Sequence, residues 1–312
     1  MNKRVYGILG ISSIMSNWNA DFTGDPKSTM DGHIFGSDKA LKYPMKKMWE
    51  NQGKKVLYIK SLKIEKGLLI PKTLKERYNQ LFEKTPLDKK TDTEIVIKNL
   101  FTAEDVKNFG ATFAEEGNNI SITGAVQIGQ GFNKYAYTSV EEQQILSPFR
   151  DPKGKIDKDS KEIEEAKNST LGSKIVTDEA HYFYPFTINP MAYKEFQELG
   201  ITEGYTEKDY KNFKTTSISA VTAFATNSKI GCDNEFALFI ETREDLYLPI
   251  LTPYINFEKG EKNIISLYFG SLFKGIEEDI KNIEIYYNPE TTIFKTDISS
   301  YKLYNILTKE EV

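Results

Sequence analysis

Hydrophobic and polar residues follow one another in blocks at the start of the chain, and these blocks predict a strand, a long loop and a helix. The segment from Arg4 to Met15 is dense in Val, Ile and Tyr, which favours a β-strand. A polar stretch from Ser16 to Asp38 follows, and its Asn, Gly and Asp residues predict a loop. Loops longer than about 12–15 residues are usually functional or disordered. Aromatic side chains can tie this loop down, so we expect it to be ordered and functional.

The next segment, Lys39 to Gly53, has the spacing of an amphipathic helix. Its apolar face is made by Leu41, Met45, Met48 and Trp49. A second face carries Lys39, Lys42 and Lys46. A lysine row near a helix N-terminus suits a phosphate backbone, because the helix end has a partial positive charge and the side chains add full charges. Solvated lysine faces are also common on ordinary helices, and the spacing alone leaves both interpretations open.

The sequence also predicts how this helix begins and where it is disturbed. Ser37 or Asp38 can cap its N-terminus by accepting backbone N–H bonds. Pro44 lies inside the pattern and is expected to kink or restart the helix, because it lacks the N–H that the helical ladder needs.

The remaining pattern predicts a mixed order of helices and strands. Further helices are expected from Pro71, from Thr102 (as N-cap) to Glu116 with a stop at Gly110, over 191–199 and over 207–228. Further strands are expected over 120–140, 181–190 and 234–242, the last of them central because it is apolar on both faces. The polar stretch 147–168 predicts a protruding loop or flexible arm, and a disordered surface insertion is an equally open interpretation. This order is typical of an α+β antiparallel fold of the ferredoxin or RRM type, enlarged by insertions.

Charge is unevenly distributed along the 312 residues. The whole chain has a net charge of −4, but residues 38–90 hold 15 Lys and Arg against 6 Asp and Glu. Residues 231–312 hold 8 against 15. A nucleic-acid partner would therefore have to bind a confined basic groove, since local fields rather than the total charge decide such binding.

Two further features concern compartment and membrane. Cys232 is the single cysteine, so an intrachain disulfide is excluded, which fits a reducing cytoplasm. No apolar run approaches the ~20 residues needed to span a bilayer, and we expect no membrane association.

The inventory of chemically active residues is poor, and we expect no catalytic residues, no metal and no cofactor. His33 and His181 are the only histidines, and no His, Cys or Asp cluster has metal-site spacing. We expect His181, in an aromatic strand, to be packed in a core or an interface. The loop acids Asp21, Asp25 and Asp31 could form a carboxylate cluster, although Asp beside Gly and Pro is more often a turn former.

Five stretches together resemble one known family. They are NWNADFTGDP (17–26), GSDKALKYPMKK (36–47), DVKNFGATFA (105–114), ISITGAVQIG (120–129) and TLGSKIVTDEAHYFYPFTINP (170–190). In order and content they resemble the Cas-seven backbone subunits of type I CRISPR interference complexes (Cascade), closest to the type I-B subtype. The resemblance touches most of residues 4–242.

The resemblance implies a hand-shaped fold with an RRM-like palm, helical fingers and a β-hairpin thumb. The palm would comprise residues 1–53, 101–137 and 180–312, the last with the C-terminal region. The fingers would be residues 54–100 and the thumb residues 138–179.

The resemblance also implies a function without catalysis. Copies of the protein would line up as a filament along one CRISPR guide RNA and hold its spacer for pairing with target DNA. Other Cascade subunits, namely the Cas-five-type, the Cas-six-type and the large subunit, would be partners. The implied RNA-binding residues are Asn17, Asn19, Ser37, Lys39, Lys42, Lys46, Gln127 and Arg150. Trp18 and Phe22 are candidates for base stacking, with packing under the loop as an equally good explanation.

Two other functions remain open from the sequence. The first is a metal-dependent endoribonuclease that uses a loop aspartate, as in the related backbone subunits of type III complexes. The second is a solitary RRM-like binder of single-stranded RNA, with bases stacked on the aromatic residues of 181–186.

Overall fold

The structure is a computed structural model that describes residues 1–150 and 169–312, with the side chains of 147–150 and 169–171 outside the described part. The helices in it are α1 (Asp38–Asn51), α2 (Leu74–Leu81), α3 (Thr93–Phe101), α4 (Glu104–Phe109), α5 (Lys194–Glu198) and α6 (Glu207–Ser217). The strands in it are β1 (Lys3–Ser16), β2 (Phe35–Gly36), β3 (Leu62–Glu65), β4 (Leu68–Pro71), β5 (Gly110–Glu115), β6 (Asn118–Thr123), β7 (Val126–Ile128), β8 (Gly131–Asn133), β9 (Val140–Arg150), β10 (Ser169–Ile188), β11 (Cys232–Arg243), β12 (Ile255–Glu258), β13 (Asn263–Leu267), β14 (Ile280–Tyr287), β15 (Thr292–Thr296) and β16 (Lys302–Asn305).

A large sheet in the order β16-β14-β11-β1-β10-β8-β2 forms the centre of the protein, and β7 and β9 also pair with β10. The predicted first strand, β1, lies between β10 and β11 and is antiparallel to both. The predicted central position of the strand over 234–242 is confirmed, because β11 lies between β1 and β14.

Each face of this sheet is covered by a different layer. Val5 and Leu9 of β1 belong to the core that also contains the apolar faces of α1 and α6. Tyr6 and Ile8 belong to a second core, shared with β12 and β13 of a smaller sheet, whose order is β12-β13-β15. Alternate residues of a strand point to opposite faces, so the sheet has helices on one side and the small sheet on the other.

Strand β10 is long enough to belong to two pairings. From Thr177 to Ile188 it pairs with β1, and from Ser169 to Thr177 it pairs with β9 as an antiparallel ribbon. The predicted thumb falls on this ribbon, and residues 151–168 of that prediction lie outside the described residues.

The first helix is confirmed, and its capping residue is Ser37. The Ser37 Oγ accepts a bond from the Ala40 N–H at 3.3 Å. The expected restart at Pro44 is wrong, because α1 runs unbroken from Asp38 to Asn51. Pro44 is buried on the apolar face beside Leu41 and Met45, so packing offsets the missing N–H.

Thr102 is not the N-cap that the sequence predicts. It ends α3, where its hydroxyl donates to the Asn99 carbonyl at 2.7 Å. The expected stop at Gly110 is confirmed, because α4 ends at Phe109 and Gly110 has a φ of 84° that glycine tolerates. The rest of the stretch is not helical, since β5 runs from Gly110 to Glu115.

Two other helices have different limits from those predicted. Helix α2 begins after Thr73, which forms a reciprocal cap with Glu76, rather than at Pro71. Helix α6 ends at Ser217 instead of 228. The amide of Asn234 on β11 donates to the Ser217 carbonyl and accepts from the Val221 N–H, so the backbone after Ser217 is satisfied without helix.

Candidate nucleic-acid interface

The lysine face of α1 borders an open groove with a volume of about 680 Å³. The opposite wall is the β5–β6 hairpin, which pairs Gly110 with Thr123. Side chains that line the groove include Lys39, Lys42, Lys46, Tyr58, Phe109 and Gln127. The structure therefore brings four of the sequence-predicted RNA-binding residues to one place.

A close approach of two glycines closes one end of this groove. A Cβ on Gly124 would lie 2.2 Å from the Phe109 carbonyl carbon and 2.4 Å from the Gly110 nitrogen. A side chain at this position would push the hairpin away from α4, so the glycine in ISITG is needed for the wall to form.

The three lysines of the groove differ in their availability to a ligand. Lys39 is exposed and makes no ion pair within the described residues. The Lys42 ammonium lies 2.9 Å from the Asp38 carboxylate and 5.1 Å from the centre of the Phe109 ring. Both cations can reach the groove, and Lys42 would share its charge between Asp38 and a ligand.

Lys46 is held below the surface of the groove. Its side chain is only 17% exposed and lies 3.8 Å from Asp105, and its ammonium donates to the Tyr58 carbonyl at 3.2 Å. Burial lowers the pKa of Lys46, and the nearby Asp105 opposes that shift. Lys46 therefore adds positive charge under the groove but is not a freely moving phosphate ligand.

Asp105 is a positioning residue that the sequence reasoning did not single out. Its buried carboxylate accepts the backbone N–H groups of Leu57 at 2.8 Å and Tyr58 at 2.7 Å. Burial, with Asp105 nearby, raises the pKa of Tyr58 to about 12, and the Tyr58 hydroxyl donates to the Thr112 carbonyl. These bonds fix one wall of the groove. The only signal for them in the sequence was the position of Asp105 in the stretch DVKNFGATFA.

Gln127 occupies the end of the groove near β7. Its side chain is exposed, and its Nε2 donates to the Gly124 carbonyl at 2.8 Å. Gln127 therefore adds an exposed polar side chain to the lining of the groove.

The long loop after β1 is tied to the start of α1. The Asn19 Oδ1 accepts the Ser37 N–H at 2.8 Å, which joins the loop to the helix cap. Asn17 is 5% exposed, and its amide donates to the carbonyls of Gly24 and Ile175. Asn17, Asn19 and Ser37 therefore build the loop and the helix end; only Ser37 and Asn19 are partly exposed.

The two aromatic candidates of this loop have opposite environments. Trp18 is 1% exposed, and its Nε1–H donates to the Tyr184 hydroxyl. A Cβ on Gly36 would lie 1.7 Å from that hydroxyl, so the packing around Trp18 leaves no gap. The stacking prediction for Trp18 is wrong, and the alternative of packing under the loop is confirmed; Phe22, by contrast, is fully exposed.

Comparison with known proteins agrees with this architecture. The family model described as CRISPR-associated protein Cas7 matches residues 3–265. The chain belongs to the Cas7 family. The predicted family is thereby confirmed over most of the chain. No curated protein sequence matches the chain significantly.

One solved structure has a similar fold at low sequence identity. A chain titled "CRISPR RNA-guided surveillance complex, pre-nicking" is 13% identical, with a TM-score of 0.53, and 95% of this chain and 96% of that chain are covered. A chain titled "CRISPR RNA-guided surveillance complex" is also 13% identical, with a TM-score of 0.46 and coverage of 94% and 95%. The first of these supports a mixed α+β, Cas7-like fold.

In this Cas7-family chain the loop acids serve the loop itself. The Asp21 Oδ1 accepts bonds from the backbone N–H groups of Thr23, Gly24 and Asp25. A bond from the Thr23 hydroxyl, with these N–H groups, lowers the pKa of Asp21. The turn-former interpretation is confirmed for Asp21, and the described residues contain no cluster of three or more potential metal ligands.

The aromatic strand over 181–186 has no exposed ring for a base. Tyr182, Phe183, Tyr184 and Phe186 are each at most 3% exposed. The prediction of base stacking on these rings, which a solitary RRM-like binder would use, is therefore wrong, because both sheet faces are covered.

His181 is packed, as the sequence predicts. It is 1% exposed, lies between the carboxylates of Glu179 and Glu235, and stacks on Phe257 with ring centres 3.7 Å apart. Burial alone would lower the pKa of His181, but the two carboxylates outweigh it and the pKa is raised.

The described part of the groove does not decide the role of two sequence candidates. The Arg150 side chain lies outside the described residues, so its predicted RNA contact stays a prediction. His33 is exposed on the loop. Within the described parts of the chain, no helix has the length and apolar character that a bilayer crossing requires.

Proposed function

We propose that this chain is a non-catalytic backbone subunit of a type I-B Cascade complex. Several copies bind one CRISPR guide RNA along its spacer and present it for pairing with target DNA, in antiviral defence. Membership of the Cas7 family supports this proposal, as does a structural neighbour titled as an RNA-guided surveillance complex. The companions would be the Cas-five-type, Cas-six-type and large subunits, and the compartment the cytoplasm.

The observation that carries the proposal is the groove along α1. Lys39 and Lys42 stand at its edge and Lys46 adds charge beneath it, although the chain as a whole is acidic. Point charges beside a helix N-terminus grip phosphates without reading bases. A subunit that must carry guides of any sequence needs this kind of contact.

The topology supports the proposed RRM-like palm. Strands β11, β1, β10 and β7 are neighbours in the sheet in that order. Along the chain, α1 lies between β1 and β7, and α6 lies between β10 and β11. This is the arrangement of a split β-α-β fold with a double repeat. The fingers (54–100) and thumb (138–179) would be insertions into it.

The proposal includes the absence of catalysis. Asp21, the loop acid with most hydrogen bonds, is engaged by three backbone N–H groups of its own turn. A carboxylate used in this way is a weak candidate for holding a catalytic metal.

Binding of a guide-length RNA to the purified full chain tests the proposal. We expect binding that weakens as salt rises, with a slope of log K against log salt of about −0.7 for each phosphate contacted on a single strand. A duplex DNA of the same length serves as the control nucleic acid. An RNA affinity that does not change with salt concentration, or a higher affinity for the duplex, would contradict binding of the guide through its phosphates. Native mass spectrometry of the complex with its companions would then give the copy number.

A further inference from the structure

An exposed phenyl ring projects from the long loop. The Phe22 side chain is fully exposed, whereas the loop around it is held by the Asp21 turn, by a bond from the Asn17 amide and by a bond that the Asn19 Oδ1 accepts. A fixed loop presents the ring in one position, so little conformational entropy is lost if the ring enters a pocket. A single exposed apolar side chain is ordinary on a protein surface, so the feature that suits this one to a contact is the loop that holds it in place.

An apolar slot lies elsewhere on the same chain, between β7, β10 and the segment after β11. Its volume is about 240 Å³, and its lining includes Ile128, Pro185, Leu248, Pro249 and Ile250. A cavity of about 150 Å³ lined by apolar groups is able to hold a benzene ring, so this slot has room for a phenyl group. Ile250 at its edge is 63% exposed.

Two glycines allow the elements around the slot to pack closely. A Cβ on Gly7 would lie 2.1 Å from the Leu238 carbonyl, and one on Gly129 would lie 2.8 Å from the Pro185 ring. Both positions are therefore closely packed, and Gly7, Gly129, Pro185 and Phe186 form part of the lining of the slot.

Phe22 and the slot lie at opposite ends of β1. The slot includes Tyr6 and Gly7 near the start of the strand, and the loop leaves the strand after Ser16. Nine residues of strand span about 30 Å, so the ring of one molecule is far from its own slot. An apolar group that fits a pocket elsewhere on the same protein makes a heterologous contact, which repeats as an open chain of copies.

Charges near the two surfaces agree with this pairing. Asp21 and Asp25 flank Phe22 and have no cation partner among the described residues. Near the slot, the Arg4 guanidinium donates to the Glu244 carbonyl and lies 4.9 Å from the Tyr247 ring, with no ion pair in the described parts of the chain. Asp245 on the same segment is already paired with Arg243.

We propose that Phe22 of one copy inserts into the apolar slot of the next copy, as a contact between neighbours on the guide. This inference rests on the proposed function, since one aromatic ring buries only about 150–250 Å². A stable free dimer needs an interface of at least about 1,000 Å². The contact therefore acts mainly between copies that RNA already holds at high effective concentration, and without RNA the copies meet through it only weakly and only at high protein concentration.

Cooperative RNA binding tests the contact. Two RNAs are used: the shortest one that binds a single copy, and one of guide length. We expect Phe22→Ala and Ile250→Glu each to lower the cooperativity on the long RNA about tenfold or more, from the burial of one phenyl ring. Affinity for the short RNA should not change. Because both variants break the same contact, the double variant should be no worse than the more severe single one. Met30→Ala is the matched control, since Met30 is equally exposed on the same loop.

A base-stacking role for Phe22 gives a different pattern and would overturn the proposal. In that case Phe22→Ala weakens binding to the short RNA, and Ile250→Glu has no effect on either RNA. Unchanged cooperativity in both variants would overturn it as well.

A crosslink separates this contact from the proposed function. Phe22→Cys protein is mixed with Ile250→Cys protein and a bis-maleimide, with RNA and, at high protein concentration, without it. The natural Cys232 is buried and should not react. A crosslinked dimer in the mixture, absent from either variant alone, supports the contact, and its absence under both conditions overturns it. Failure of the unaltered protein to bind either RNA would instead refute the proposed function, while the crosslink without RNA still decides the contact.

Discussion

Removing the two accessible cations of the groove is the sharpest test of the phosphate grip. The double substitution Lys39→Ala, Lys42→Ala takes away both lysines at the edge and leaves Lys46 in place. Lys46 is excluded because its bond to the Tyr58 carbonyl and its closeness to Asp105 give it a structural role. Little stability should be lost, since an i, i+4 pair such as Lys42–Asp38 contributes only about 0.5 kcal/mol. The melting temperature should therefore fall by no more than about 2 °C.

The expected effect on RNA binding follows from counterion release. Each phosphate contact on a single strand contributes about 0.7 to the slope of log K against log salt, so loss of two contacts flattens the slope by about 1.4. As salt rises from 50 to 200 mM, the ratio of the RNA affinity of the unaltered protein to that of the variant therefore falls about sevenfold. Because Lys42 already shares its charge with Asp38, the flattening could be as small as about 0.7, the value for Lys39 alone.

The assay is a salt titration of RNA affinity, with a control from the same helix. Lys47→Ala removes one positive charge from α1, the same number as each single substitution of the double variant, but Lys47 pairs with Glu50 at 2.8 Å and does not line the groove. We expect the Lys47 variant to keep the original slope. If the double variant keeps its slope, or if the Lys47 variant loses as much, then the lysine row is an ordinary solvated face and the groove is not the RNA site.

Three further predictions follow from the loop and the sheet. Trp18→Ala should cost about 3–5 kcal/mol, because it empties a buried site, whereas Phe22→Ala should leave the melting temperature unchanged; equal effects in thermal melts would contradict the packing described for Trp18. The raised pKa of His181 means that its stabilising charge is present below about pH 6.5 and is lost as pH rises through the folded pKa. Stability should thus fall over that range, and His181→Gln, followed by denaturant melts at several pH values, should flatten the dependence. Guide-length RNA should stay intact with Mg²⁺, and Asp21→Asn should change nothing; cleavage that this substitution abolishes would refute the non-catalytic proposal.

The sequence was sufficient for features that depend on neighbouring residues. Strand β1 and helix α1 follow from local periodicity, and the Ser37 cap from its place directly before the helix. The placement of Lys39 and Lys42 on one face of α1 follows from 3.6 residues per turn. Motif content was enough to identify the family over most of residues 4–242, and the family model matches residues 3–265.

Features that depend on distant partners could not be predicted in this way. Helix α6 stops early because Asn234, on another strand, bonds to the backbone after Ser217. Trp18 looked like a stacking residue, but the Tyr184 hydroxyl and the absence of a side chain at Gly36 bury it.

The difference between Lys39 and Lys46 has the same origin. Both have the same place in the helical pattern, yet Lys46 is turned into a positioning group by Asp105 and by the Tyr58 carbonyl, which reach α1 only in the folded chain. Periodicity is a property of adjacent residues and can be read along the sequence. Burial and hydrogen-bond partners are properties of pairs far apart in sequence, and only the tertiary structure decides which pairs meet.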